Sequence, residues 1–435
     1  MSGTAPEQLS ADDARILELE SHAIAGHTLK LVVLEPASEP LSLEGLRELV
    51  AGRLSELSRA RQRIEVPEGA QEPPRWVQDE RFEIAAHVRE LAPTGGDRKA
   101  LWSLAGELMA ERLDHSRPLW AIDLVGPLAD SRQALIVRIH HAMADGISCM
   151  RLLETMLWDA EPTSPGSSER SARARRAAPH RAQGRVRELA AMPAAVWREL
   201  AGHASRSALD RRIGATRSLA FAPATLEELK EIGGSLPGHA TVNDVLLGIV
   251  AGGLARWWAD ETKRLPRIRA QVPVSLHHRD EREGEIGNRD SFLNIDLPLA
   301  EPNPLRRLER ISAETQKRKR LDDADELYDF FHALACIGPL ERAAERAASS
   351  PREFSLSVSN VPGPPTPVSV AGRRIESLGS VAEPAQRHAL RISALSCAGS
   401  VNIGLCTDPE ALPGVERLAE ALDEARMELR AATIG

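Results

Sequence analysis

Residues 134–158, ALIVRIHHAMADGISCMRLLETMLW, constrain the fold of this chain more than any other stretch. Leu135 to Ile139 form a short apolar run rich in β-branched side chains, the pattern of a buried strand. From Ile147 the period changes. Met150, Leu153, Met156 and Leu157 then recur three or four residues apart, as on one face of a helix. A strand must therefore pass into a helix through a connection of a few residues, and that connection carries His140, His141, Asp145 and Gly146. Short connections held by rigid elements are where reactive side chains tend to be placed.

The residues leave three readings of this connection open. Histidine and aspartate are metal ligands, and His141 and Asp145 are four apart, but no third ligand stands nearby and adjacent histidines on a strand point to opposite faces. Asp145 is well placed to cap the helix that begins near Ile147, which makes the connection a satisfied polar turn. In the third reading a neutral imidazole takes a proton from a hydroxyl, because histidine titrates near working pH. Gly146 then permits a tight turn and close backbone approach.

At 435 residues the chain exceeds one small core, and two domains are expected. No apolar run approaches the ~18–20 residues a membrane span needs. The polar, acidic N-terminal stretch resembles neither a signal nor a transit peptide, so the expected location is the cytoplasm. A net charge of −8 argues against general nucleic-acid binding. Cys149, Cys336, Cys397 and Cys406 lack metal-type spacing, which excludes a zinc finger and fits a reducing compartment.

Periodicity predicts helices over 9–20, 42–58, 97–113, 225–232, 241–257 and 415–430. Strands are predicted over 27–35, 121–125, 268–275, 291–297 and 353–358, an extended segment over 83–88, and a hairpin of 390–394 with 400–406. Residues 161–185 are rich in Pro, Gly, Ser and Arg with no apolar period, a linker composition. Residues 186–212 read as a basic amphipathic helix suited to a membrane surface. The implied division is a first lobe over 1–160, a linker over 161–212 and a second lobe over 213–435. Both lobes mix strands and helices, so the fold class is α/β with mixed sheets.

Taken together, His140-His141 followed by Asp145-Gly146 is the HHxxxDG signature of CoA-dependent acyltransferases related to chloramphenicol acetyltransferase and to peptide-synthetase condensation domains. The chain resembles more specifically the bacterial wax ester synthase/diacylglycerol acyltransferase family. LSADDARILELE near the start, LDHSRPLW, TVNDVLL, VPVSL (Val272 to Leu276), Gly287-Asn288 and SNVPGP (Ser359 to Pro364) follow in the family's order, over nearly the whole length. One departure is near the first strand, where the family usually has Pro-Met-His and this chain has Ala25-Gly26-His27.

The resemblance implies two chloramphenicol-acetyltransferase-like lobes with the active site in a channel between them. It implies transfer of a fatty acyl group from acyl-CoA to diacylglycerol or a long-chain alcohol, with no covalent intermediate, no metal and no cofactor, acyl-CoA being a substrate. His141 is then the general base, His140 supports it, and Asp145 is structural and paired with an arginine. Gly146, Asn243 and Asp244 are expected in support, although Asn243 and Asp244 equally suit a helix start. Pro118, Leu119, Trp120, Ser359 and Asn360 are expected along the substrate channel or as scaffold. Two alternatives share parts of the pattern: a condensation-type acyltransferase that uses carrier-protein thioesters, and a non-catalytic lipid-binding protein of a membrane or lipid-droplet surface.

Overall fold

A computed structural model describes residues 7–67, 73–92, 95–129, 131–159, 207–259, 265–275, 290–320 and 354–434. The expected linker up to residue 206, most of the basic amphipathic stretch, Leu276 of VPVSL and Gly287-Asn288 lie outside these residues.

The chain opens with β1 (Glu7–Gln8) and α1 (Ala11–Leu19), the latter capped by the Ser10 side chain. Strand β2 (His27–Leu34) leads to α2 (Leu43–Arg53), then through 3-10 turns to β3 (Gln62–Glu65) and β4 (Arg75–Gln78). A short helix α3 (Ile84–His87) precedes β5 (Val88–Leu91), and α4 (Arg98–Ala110) follows, capped by Asp97. Strands β6 (Trp120–Val125) and β7 (Gln133–His140) then feed α5 (Gly146–Leu157). Further along the chain come β8 (Ser218–Thr225), α6 (Leu226–Gly234), α7 (Val242–Ala259), β9 (Ile268–Ser275), β10 (Asp290–Leu297) and α8 (Pro304–Arg320). Strands β11 (Leu356–Val361), β12 (Ser369–Val370), β13 (Arg373–Ala382), β14 (Leu390–Cys397) and β15 (Ser400–Thr407) lead to the closing helix α9 (Val415–Ile434).

Two mixed six-stranded sheets organise these elements, in the orders β12-β13-β2-β7-β6-β5 and β10-β9-β11-β14-β15-β8. Strands β1, β4 and β3 form a small third sheet. One face of the first sheet packs on α2 and α5, the other on α4. The second sheet buries its apolar face under α6, α7 and α9. Helix α7 is apolar nearly all round, as expected of a helix enclosed within a core.

Several expected elements shift, for physical reasons. The predicted helix over 42–58 ends at Arg53 and continues as 3-10 turns. The segment expected to be extended over 83–88 contains a helical turn. There the His87 Nδ1–H donates to the Trp120 carbonyl at 2.9 Å and its ring stacks on Trp120. Strand β11 starts at Leu356 and runs on into the SNV of SNVPGP. Strands β8 and β13 and helix α8 were not anticipated. In β13 a register shift between Ile375 and Ser377 breaks the period-2 alternation that would have revealed it.

Strand β13 also crosses the expected lobe division: it belongs to the 213–435 segment, yet it pairs with β2 in the first sheet. The two sheets meet at this strand. The Asn402 Nδ2 donates to the Leu378 carbonyl at 2.9 Å. At Gly404 a Cβ would stand 2.2 Å from the Ser380 carbonyl oxygen, so the backbones approach more closely than any side chain permits. Gly404→Ala should therefore destabilise the protein by about 1–3 kcal/mol or more through overpacking against backbone. Gly52→Ala, in α2 with no atom within 4 Å, should be neutral or stabilising. Thermal melting of the two variants checks the contrast, and equal melting temperatures would contradict the packing of β15 on β13.

Candidate active site

Register places the histidine pair. In the antiparallel pairing of β2 with β7, His27 stands opposite His140. One step beyond, the His141 backbone N–H donates to the Gly26 carbonyl at 3.0 Å, and the His140 N–H donates to the Leu119 carbonyl at 3.0 Å. The turn is closed by the Met143 N–H on the His140 carbonyl. Asp145 is the N-cap of α5: its carboxylate accepts from the Ser148 N–H at 2.7 Å. At Gly146 a Cβ would lie 3.1 Å from Val361 Cγ2, so the start of α5 abuts the SNVPGP turn of the second sheet.

His140 is fully buried and has both ring nitrogens engaged. Its Nδ1 accepts from the Ala142 N–H at 3.1 Å, which fixes the proton on Nε2, and Nε2 donates to Glu20 Oε1 at 2.7 Å. Burial holds the ring neutral by lowering its pKa, only partly offset by Glu20. The same Glu20 oxygen accepts from His115 Nε2 at 2.8 Å, and Arg112 donates to the other oxygen. Burial opposes ionisation of Glu20, but the bonds from His115, His140 and Arg112 hold its carboxyl well below the usual range.

Glu20, His115 and His140 are also the described residues whose ligand atoms cluster tightly enough for a metal, within 4.8 Å of one another. The donor set does not fit one. His140 offers no lone pair at Nε2 while Nδ1 accepts from backbone, and the Arg112 guanidinium places a positive charge on the only carboxylate. The three residues form a hydrogen-bonded group that orients His140.

His141 differs from His140. Its pKa is held well below the ordinary value, chiefly by burial and then by the positive charge of Arg391 and by His140, Lys30 and His27. Lys30 lies buried on β2, with its ammonium on Thr28 Oγ1 at 3.1 Å and Ser380 Oγ at 2.7 Å. The result is a neutral imidazole in a cationic, water-poor setting, able to accept a proton from a weakly acidic hydroxyl.

The other expected residues divide. Thr241 and Asp244 form a reciprocal cap at the start of α7. The Asp244 carboxylate accepts from the Thr241 N–H and hydroxyl, both at 2.8 Å, and from the Thr315 hydroxyl at 2.6 Å. Asp244 is thus a structural cap. Asn243 instead faces the second motif: Asn360 Nδ2 donates to Asn243 Oδ1 at 2.6 Å, and Ser359 Oγ donates to Ser393 Oγ at 3.2 Å. HHxxxDG, ND and SNVPGP therefore converge, through Gly146–Val361 and Asn243–Asn360. Pro118, Leu119 and Trp120 are buried in the first lobe, and Trp120 Nε1 donates to the Ala60 carbonyl at 2.8 Å. They serve as scaffold, with the Leu119 carbonyl holding the end of β7. Glu20, Lys30, His115 and Arg391 were not singled out from sequence, and Gly26 stood out only within a departure from the family pattern. The visible signal was Lys30, the lone ammonium in a mostly apolar strand.

The chain is also similar to known proteins over most of its length. The wax ester synthase/diacylglycerol acyltransferase catalytic domain matches residues 9–208, and the WS/DGAT C-terminal domain matches residues 286–430. A Mycobacterium tuberculosis protein named as a probable diacylglycerol O-acyltransferase is 27% identical over 411 residues, covering 88% of this chain and 87% of its own. The structure of a wax ester synthase/diacylglycerol acyltransferase from Marinobacter aquaeolei VT8 superposes with a TM-score of 0.71 at 22% identity, covering 98% of this chain and 100% of that one. The starter condensation domain of rhizomide synthetase, solved with C8-CoA, shares the fold at a TM-score of 0.61 and 14% identity, covering 99% and 95%.

The low pKa of His141 has a kinetic signature. For a reaction that uses neutral His141 as its base, kcat/KM should rise with pH along an acid limb centred well below 6.5 and stay level through neutrality. A pH profile of turnover checks this, and an acid limb centred above 6.5 would contradict the geometry.

Proposed function

Because this chain belongs to the wax ester synthase/diacylglycerol acyltransferase family, and is thereby an O-acyltransferase, we propose that it moves a fatty acyl group from acyl-CoA to the hydroxyl of diacylglycerol, a long-chain alcohol, or both. One observation carries the assignment of the base. His140 has both ring nitrogens committed within the protein, so His141 is the histidine of the pair that takes the substrate proton.

His141 removes the proton of the acceptor hydroxyl, and the oxygen attacks the thioester carbonyl carbon. The tetrahedral intermediate collapses as the C–S bond breaks. The thiolate of CoA leaves and takes up the proton held by the imidazolium, so an ester and free CoA result. No bond to the enzyme forms, and the reaction needs no metal or cofactor. A positioned base of this kind contributes on the order of 10²–10⁴-fold. Asp145 and Gly146 maintain the turn that carries the base, and Asn243 with Asn360 ties the second lobe to it. The C8-CoA complex of the rhizomide condensation domain supports an acyl-CoA donor on this fold.

Among the described residues no helix is long and apolar enough to cross a membrane. An insoluble acceptor nevertheless requires contact with a lipid surface, and the basic stretch 186–212 has the composition for peripheral attachment to a membrane or droplet. The expected cytoplasmic location is part of the same proposal.

With palmitoyl-CoA and diacylglycerol, the purified protein should release CoA, and His141→Ala should lower kcat by about 10²–10⁴-fold. Equal release by both proteins would exclude His141 as base. Faster turnover with an acyl-carrier protein than with acyl-CoA would favour the condensation-type reading. Deleting residues 177–206 should weaken sedimentation with anionic liposomes, and unchanged sedimentation would remove that segment from the surface contact.

A further inference from the structure

The carbonyl that holds the His141 backbone N–H belongs to Gly26, in the loop between α1 and β2. Gly26 has φ +77°, and a Cβ there would stand 2.4 Å from His140 Nε2. The loop thus has one backbone course, and glycine alone fits it. Glu383, immediately after β13, holds that course. Its Oε2 accepts from the Ala25 N–H at 2.8 Å and the Gly26 N–H at 2.9 Å. Its Oε1 accepts from Arg217 Nη2 at 2.9 Å. Arg217 lies just before β8, in the second sheet's half of the molecule, and donates also to the Ala23 carbonyl. Both Glu383 and Arg217 are buried.

We infer that Glu383 and Arg217 are positioning residues for the acyl transfer: they carry the docking of the two lobes through the Ala25–Gly26 backbone to the base His141. The inference rests on His141 being that base. The chain of bonds is continuous, from Arg217 to the Glu383 carboxylate, to the Ala25 and Gly26 amides, and from the Gly26 carbonyl to the His141 N–H. Burial pushes the Glu383 carboxyl up on balance, against Arg217 and the two amides, which favour its charged form. Removing either partner leaves buried groups unsatisfied, whereas the intact set is satisfied on both oxygens. Only the assembled protein, with β13 in the first sheet and Arg217 delivered beside it, completes the set.

The arrangement makes an unusual demand on residue 383, because both of its oxygens face donors. Glutamine offers one oxygen and one N–H₂ group, so in Glu383→Gln one side meets donor against donor. In Arg217→Met/Glu383→Gln that conflict disappears, and the amide oxygen can serve Ala25 and Gly26. Measured by CoA release from palmitoyl-CoA with diacylglycerol, Glu383→Gln should lose about 10²-fold in kcat, as a slight misplacement of a base does. KM for palmitoyl-CoA should stay within about two-fold, since binding of the donor is not the function disturbed. The double variant should regain about ten-fold of the lost kcat, the scale of one relieved buried donor.

Should Glu383→Gln fail to fold, Gln and Ala at 383 are compared in the Arg217→Met background, where Ala removes the acceptor and should be the slower by about ten-fold. Equal kcat for those two, wild-type kcat in Glu383→Gln, no recovery in the double variant, or a loss confined to KM each overturns the inference. His141→Ala is run beside them. If it too retains full activity, the acyl-transfer assignment of the base fails. If it is inactive while the Glu383 variants are not, the positioning role alone fails.

Discussion

In the antiparallel pairing of β2 with β7, Gly26 comes to stand beside His141 and His27 beside His140, and most of the site is built on that register. A one-residue slip would reverse the faces of every side chain on β2, moving Lys30 and Thr28 off the face they share with Ser380. The apolar residues Leu29, Leu31, Val32 and Leu34 specify the register because they fill two different cores, one on each side of the sheet. The same pairing delivers the loop that begins at Glu20. The acid that orients His140 and the carbonyl that holds His141 thus arrive together on one short stretch of backbone.

The electrostatics of the site follow from burial. His140 and His141 are both driven toward the neutral form, but for different uses. His140 keeps Glu20 as a hydrogen-bond acceptor and is locked in one tautomer. His141 is surrounded by Arg391, Lys30 and two other imidazoles, so any proton it takes up is held only weakly. In the proposed mechanism such a proton is readily passed on to the departing thiolate. In the proposed acyl transfer, exact placement offsets low basicity, and many bonds converge on the short backbone segment around Gly26.

Much of this was legible in the residues, at particular places. The change of period at His140–Gly146 marked the strand-to-helix junction, and Asp145 was recognisable as its cap. The ordered motifs identified the family. Within them, however, roles were mixed. Asn243 and Asp244 are neighbours in sequence, yet one faces Asn360 and the other caps α7, because successive side chains on a helix diverge by about 100°. Trp120 suited a channel wall or a scaffold, and it is a buried residue with its indole N–H on the Ala60 carbonyl. Strand β13 escaped notice because its bulge and its polar residues hide the alternation.

From sequence alone came the local facts: where strand gives way to helix, which residues can cap, which side chains can move protons, and the family whose motifs are present. These depend on residues within a few positions of each other, and so they are written in spacing. Only the tertiary structure decided that Glu20 and His115 orient His140, that a strand from residues 373–382 completes the first sheet, and that Glu383 and Arg217 meet at the Gly26 loop. Such contacts join residues as far apart as Ala25 and Glu383, 358 positions along the chain. They arise from how two sheets pack, which no local pattern encodes.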